Sequence, residues 1–382
     1  MKTVITARLA FTPLESIDYP VVVLEDGHIH SIGSRVSTNV PGDARHFDFP
    51  DSVIAPGFID IHVHGGAGHD VMQPGDDALA GMERHFLKHG VTSYCPTTVT
   101  APLDATFQAL ERLAITQKSA REKRARPVGL HLEGPFLSHA KRGVHPPDKL
   151  VEPSVELFDK MWQAAQGKVA VMTVAPELKG AVEMIRTAAS RGVCISLGHS
   201  NATLAEAQAG VEAGARHATH TFNAMRALDH REPGVLGGVL ADSRITADVI
   251  ADGVHVHPDV LKIFLRAKGV EGSVLITDAI SATGMGDGRF KLGGFEVEVI
   301  GDRCLYEGNL AGSVLTLDRA VRNITKYASW SLKDSIRLAT LNPARVLGRN
   351  DVGILTPGAQ ADLVVLSSDG MVQHTLVGGV AA

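Results

Sequence analysis

Eight apolar, strand-like runs recur along the middle of this chain, and most of the gaps between them carry a helical period. The runs are VIAPGFIDI, GVTSYCPTT, PVGLHLEG, KVAVMTVAPE, VCISLGHS, ARHATHTFN, ITADVIADG and SVLITDA. After the first, DDALAGMERHFLKHG places apolar residues at 79, 82, 86 and 87, one face of a helix. LKGAVEMIRTAASRG behaves likewise, and Thr203 with Glu206 is a capping-box candidate opening a helix through Ala213. This alternation predicts an α/β fold with a parallel (β/α)8 barrel of the TIM type over residues 55–345. A doubly wound open sheet is the alternative.

The two ends differ from the middle. PVVVLEDGHIHSIG holds two apolar runs around Asp26-Gly27, a hairpin signal. ADLVVLSSDGMVQHTLVGGVAA repeats it around Asp369-Gly370. Residues 1–54 and 346–382 are therefore expected to form one small β-sandwich domain from both termini. GRFKLGGFEVEVIGDRCLYEGNLAG, after the eighth run, is expected to be an inserted hairpin.

Composition narrows the function. The 382 residues are 44% hydrophobic and 21% charged, which suits a folded globular chain and excludes disorder or coiled coil as its main character. A net charge of −5 gives no global field for nucleic acid or anionic membrane, so an anionic substrate needs a local cluster. Arg8 interrupts the only apolar stretch at the N-terminus, and no run nears the ~20 residues of a membrane span. Three distant cysteines without CxxC spacing fit a reducing compartment, here the cytoplasm. No GxGxxG or GxxxxGK[ST] supports a nucleotide site, and no GxSxG elbow supports a serine nucleophile. Eighteen histidines then pose the question of which carry chemistry.

The answer lies where the runs end. They finish in Asp60-Ile-His62-Val-His64, His131-Leu-Glu133, His199-Ser200, His217-Ala-Thr-His220, Asp252-Gly-Val-His255 and Thr277-Asp278. In a parallel barrel all strand C-termini open onto one face, so these residues converge. His62 and His64 share one side of a strand and make half of a metal site. Glu133 at a buried strand end demands a metal or an ion pair, with Lys141 or Arg142 as structural partners. Glu133, His199 and His220 make a three-ligand site with room for water, as in catalytic zinc centres. Asp278 is a second metal contact, a general base or a helix N-cap. Taken singly, each histidine suits an ordinary hydrogen-bonded role; the phase with the strands favours chemistry.

Those motifs resemble the N-acetylglucosamine-6-phosphate deacetylases of the metal-dependent amidohydrolase superfamily. The resemblance spans nearly the whole chain: APGFIDIHVHG at 55–65, HLEGPF at 131–136, GHSNAT at 198–203, ATHTFNAM at 218–225, REPG at 231–234, ADGVH at 251–255, TDA at 277–279 and NPAR at 342–345. It implies a distorted barrel with a small β-sandwich, and hydrolysis of a 6-phosphorylated N-acetyl amino sugar to acetate and amino sugar phosphate. It implies that Glu133, His199 and His220 bind a divalent metal, zinc first, with iron, cobalt or manganese as other occupants. It leaves open one metal per subunit or two, with His62 and His64 as the candidate ligands of a second and Glu133 as its bridge. Hydroxide on the metal is the implied nucleophile, Asp278 the acid/base, and His145 the group that polarises the acetyl carbonyl. Asn223, Ala224, Arg231 and His255 are implied as substrate and phosphate contacts. A homodimer is implied too, the phosphate pocket being completed across it. The competing readings are another amidohydrolase, acting on N-acetylgalactosamine 6-phosphate, a cyclic amide or an N-acyl amino acid, and a non-catalytic barrel scaffold.

Overall fold

The computed structural model describes residues 2–38, 42, 44–116 and 123–381, so the outermost residues assigned to the terminal domain, 1 and 382, lie outside it. Its centre is a barrel of eight strands: β1 (Phe58–Val63), β2 (Val91–Thr98), β3 (Leu130–Glu133), β4 (Val169–Val174), β5 (Cys194–Leu197), β6 (His217–Ala218), β7 (Thr246–Ile250) and β8 (Ser273–Ile276). Every neighbouring pair from β1 to β8 runs parallel. These strands are buried on both faces, which is why they appear in the sequence as continuous apolar runs rather than alternating ones.

The ring is distorted where β8 meets β1. There Leu338–Ala339 is wedged between the two strands: Ile59 N donates to Ala339 O at 2.8 Å and Leu275 N to Leu338 O at 2.9 Å. Nearer the C-terminal rim the strands meet directly, with Asp278 N donating to His62 O at 3.0 Å and His64 N to Ala279 O at 2.8 Å. The candidate site residues on β1 and after β8 are thereby locked to each other.

The helices pack their apolar faces on the outside of this ring and share one large core with it. Thr203 opens the helix Leu204–Ala213 with the expected capping box, its side chain accepting from Glu206 N while Glu206 reaches back. Ser154 caps Val155–Ala164 in the simpler way.

Strands from both chain ends form a separate mixed sheet, ordered from Val380–Ala381 through Val372–Val377, Leu363–Leu366, Arg45–Pro56, Lys2–Phe11 and Pro20–Glu25 to His28–Ser34. It curls until its far edge meets the segment before residue 363: Ile29 N donates to Ala359 O and Gly358 N to Ile29 O, both at 2.8 Å. Ile5, Val22, Ile29, Ile54, Leu363 and Val365 fill the enclosed layer. The opposite alternation, Val53, Ala55, Val364 and Leu366, joins the barrel core. The insertion after β8 has four antiparallel strands, Gly288–Leu292, Phe295–Ile300, Arg303–Tyr306 and Asn309–Leu310, rather than one hairpin. The sequence signal covered only a pair of runs, whereas the last two strands are too short to show a period.

Candidate active site and metal centre

Seven side chains from five strand ends and one loop meet at the C-terminal mouth of the barrel. Glu133, at the tip of β3, lies at the centre. Its Oε1 is 3.0 Å from His220 Nε2 and 3.2 Å from His199 Nε2. Its Oε2 is 3.1 Å from His64 Nε2 and 3.5 Å from His145 Nε2. Asp278 Oδ1 stands 3.2 Å from His64 Nε2 and 3.5 Å from His62 Nε2. All are buried. The structure thus brings together Glu133, His199, His220, His62, His64, His145 and Asp278.

The outer ring nitrogens decide which way the inner ones face. His199 Nδ1 donates to Lys141 O at 2.9 Å and His64 Nδ1 to Thr97 O at 3.1 Å, which leaves each Nε2 lone pair aimed inward. His145 Nδ1 lies 2.8 Å from the Thr100 hydroxyl. That contact depends on a glycine: a Cβ at Gly134 would sit 2.0 Å from Thr100 Oγ1. Asp248 accepts from His220 N, and its other oxygen is 3.0 Å from His217 Nε2. His131, a neighbour of Glu133, is used up structurally, with Nδ1 on Ile61 O and Nε2 on the Thr173 hydroxyl, both at 2.9 Å.

Several of these residues hold left-handed backbones: His199 at φ 48°, His220 at 28°, Ala224 at 50° and Asp278 at 51°. Non-glycine residues rarely adopt this region, and such strain concentrates at functional sites. It turns each side chain off the strand axis and into the mouth.

The electrostatics call for a cation. Burial raises the Glu133 carboxyl, but His62 and the hydrogen bonds from His145, His199 and His220 outweigh it and hold it well below the usual range. Burial opposes ionisation of Asp278 as well, and His62 and His64 overcome it, keeping the carboxyl below its ordinary value. Burial would neutralise His220, yet Glu133, Asp278 and Asp248 push it up to about 9. His199, mainly through burial, falls to about 4. Two buried carboxylates facing a ring of imidazole lone pairs fit a divalent metal in charge and donor type. The facing pairs His199–His220, 3.0 Å between Nε2 atoms, and His62–His64, 3.1 Å, make the same point. Within 4.8 Å of one another the described donors fall into two groups, His62, His64 and Asp278, and Glu133, His145 and His199.

A cavity of about 370 Å³ opens over this centre. Asn223, Ala224 and His255 line it, as do Val99, Val144, Leu292 and the segment Asn309–Gly312. His255 is held by Asp252, whose Oδ2 is 2.7 Å from Nδ1 and whose Oδ1 accepts from Val254 N and His255 N. Arg231 does not line the cavity; it is exposed on the neighbouring loop. Sequence reasoning named Asp60 at a strand end without giving it a role, and missed Thr100, Asp248 and the place of the inserted strands at the cavity wall. Only Asp60 had a visible signal, two places ahead of His62 in a buried run.

The amidohydrolase family model matches residues 53–382. The N-acetylglucosamine-6-phosphate deacetylase of Lysinibacillus sphaericus is 36% identical, over 94% of this chain and 92% of that protein. The N-acetylgalactosamine-6-phosphate deacetylase of Escherichia coli is 38% identical over the full length of both. A solved N-acetyl-D-glucosamine-6-phosphate deacetylase variant from Mycobacterium smegmatis, in complex with N-acetyl-D-glucosamine-6-phosphate, superposes with a TM-score of 0.93 at 32% identity, covering 100% of this chain and 99% of that one. With a family model matching most of its length and deacetylase relatives aligned along nearly all of it, the chain belongs to the amidohydrolase family, in its N-acetylhexosamine-6-phosphate deacetylase branch.

Proposed function

We propose that the protein is a metal-dependent deacetylase that hydrolyses N-acetylglucosamine 6-phosphate to glucosamine 6-phosphate and acetate. The observation that carries this reading is Glu133, whose two oxygens face His199 and His220 on one side and His64 on the other, under a cavity that admits a sugar phosphate. Glu133, His199 and His220 would hold a divalent metal, which we take to be zinc; His62 and His64 would hold a second, with Glu133 between them. When bound, the metal supplies Lewis-acid polarisation of water and of the acetyl carbonyl.

The chain's own residues supply the rest. Asp278 is ionised and buried, so it accepts the proton of the attacking water. It returns that proton to the nitrogen as the amide C–N bond breaks, because an unprotonated amine leaves poorly. The water oxygen ends in acetate. His145, held through Thr100, donates to the carbonyl oxygen as charge builds on it. Asn223, Ala224 and His255 bind the sugar and its phosphate. Arg231 joins them from a loop fastened to the site by Glu232, which accepts from Leu204 N at 3.2 Å, and by Arg226 N, which donates to Ser200 O at 2.9 Å. Its planar fork suits phosphate.

We further propose a homodimer and a cytoplasmic location. All three cysteines are free thiols, which a reducing compartment preserves. Among the described residues no helix is long and apolar enough to cross a membrane.

The full-length match to an N-acetylgalactosamine-6-phosphate deacetylase supports a second reading, the C4 epimer as substrate. One assay decides both: acetate release from N-acetylglucosamine, N-acetylgalactosamine and their 6-phosphates, with and without chelator. Turnover confined to one 6-phosphate, and abolished by chelator, is the expected result. Equal turnover of plain and phosphorylated sugars rejects the phosphate assignment.

A further inference from the structure

We propose that Glu177 is a positioning residue for substrate binding: through Ser200 it fixes the Asn223–Ala224 loop and leaves the adjacent metal ligand His199 to other supports. The proposal rests on the reading of that loop as a substrate contact. Glu177 follows β4 and is not among the residues lining the cavity, so it acts through its neighbours.

Its carboxylate grips the chain just after His199. Oε2 accepts the Ser200 hydroxyl at 2.8 Å and Oε1 accepts from Asn201 N at 2.6 Å. The same hydroxyl accepts from Ala202 N at 3.0 Å, so Ser200 is held in one orientation. The Ser200 backbone then pairs with the substrate loop. Its N–H donates to Ala224 O at 3.0 Å, its carbonyl accepts from Arg226 N at 2.9 Å, and it forms a parallel bridge with Met225.

That loop needs a clamp. His220, Phe222 and Ala224 all sit in the left-handed region, at φ 28°, 80° and 50°. Three such residues within five persist only where surrounding contacts over-determine the backbone. Ser200 is the partner that pairs with the loop at Ala224, Met225 and Arg226, and Glu177 is what holds Ser200. His199 is secured separately. Its ring donates to Lys141 O at 2.9 Å, and its carbonyl accepts from Ser138 N at 2.9 Å. Losing Glu177 therefore disturbs the substrate loop before the metal site.

The test is steady-state acetate release from N-acetylglucosamine 6-phosphate, with metal content measured on the same samples. The variants are Glu177→Ala, Glu177→Gln and Ser200→Ala. In Glu177→Ala we expect KM to rise about tenfold, kcat to stay within about threefold, and metal content to match the parent protein. Glu177→Gln keeps the shape and one acceptor oxygen and should recover most of the KM. If Glu177→Ala does not fold, Ser200→Ala decides, with an expected rise in KM of about threefold. An unchanged KM in the soluble variants, or a fall in kcat that tracks lost metal, overturns the proposal while the parent protein remains active. A parent protein that releases no acetate from the 6-phosphate of either N-acetylglucosamine or N-acetylgalactosamine overturns the reading of the site and this proposal with it.

Discussion

Asp60 Oδ2 accepts the Thr277 hydroxyl at 2.6 Å, tying the first barrel strand to the residue that follows the last. Its Oδ1 also accepts from His62 N and Thr277 N, each at 3.3 Å. One buried carboxylate thus sets the register of two site residues, His62 and Asp278, across the seam where the barrel is least regular. Burial pushes this carboxyl up to about 6, against the pull of those three donors. Replacing Asp60 by Ala strands all three donors, and should cost about 3 kcal/mol. Denaturant unfolding of the metal-loaded protein measures it. A cost below about 1 kcal/mol would show that the seam holds without Asp60.

Asp278→Asn should lower kcat by about 10²- to 10⁴-fold while the protein keeps its metal. The amide keeps the side chain's size but cannot accept the proton from water. Near-normal turnover would remove Asp278 from the proton-transfer role. Loss of metal along with activity would make it a ligand instead.

Metal analysis settles the two-metal question. Glu133 faces His199 and His220 with one oxygen and His64 with the other, so two ions are expected per chain. The double variant His62→Ala/His64→Ala should lose one equivalent and keep the other. One equivalent in the parent protein, unchanged in the variant, argues for a single ion on Glu133, His199 and His220.

Much of this arrangement was legible in the sequence because burial on both faces makes barrel strands continuous apolar runs. The candidate site residues then stand out as polar breaks at their ends, as at His62, Glu133, His220 and Asp278. What was not legible is what depends on contacts between distant segments. Nothing local marks Leu338–Ala339 as the wedge in the seam, or Asn309–Gly312 as cavity wall. The left-handed backbones of His199, His220 and Asp278 have no glycine to announce them. His131, which shares a strand with Glu133, reads as a support rather than a ligand, but its partners Ile61 and Thr173 lie on other strands and only the fold shows them.

Arg231→Ala should raise KM for the 6-phosphorylated sugar by about tenfold or more, and leave any turnover of the plain sugar unchanged. Arg231 is exposed, so folding stability should not change measurably. If both sugars lose equally, Arg231 does not read the phosphate. A rise in KM that depends on protein concentration would point to a role at the contact between two chains.

Acid sensitivity should come in part from His85, which lies outside the metal centre. Burial chiefly, with the nearby charges of His89 and Lys88, lowers its ring from 6.5 to about 4, although Asp318 pulls the other way. Its Nε2 is buried and finds no hydrogen-bond partner among the described residues. The folded state therefore keeps His85 neutral, while the unfolded chain protonates it near its ordinary value. Between about 6.5 and about 4 the unfolded state binds the extra proton, so this contribution to stability falls as pH falls through that window. Below about 4 both states carry the proton and the loss from this group stops. In His85→Gln the melting temperature should drop less between pH 7 and pH 4.5 than in the parent protein, whatever the variant's absolute stability (the pH range follows from the ordinary histidine value, about 6.5). Differential scanning calorimetry with saturating metal compares the two slopes, and parallel slopes would exclude His85 as a source of acid sensitivity.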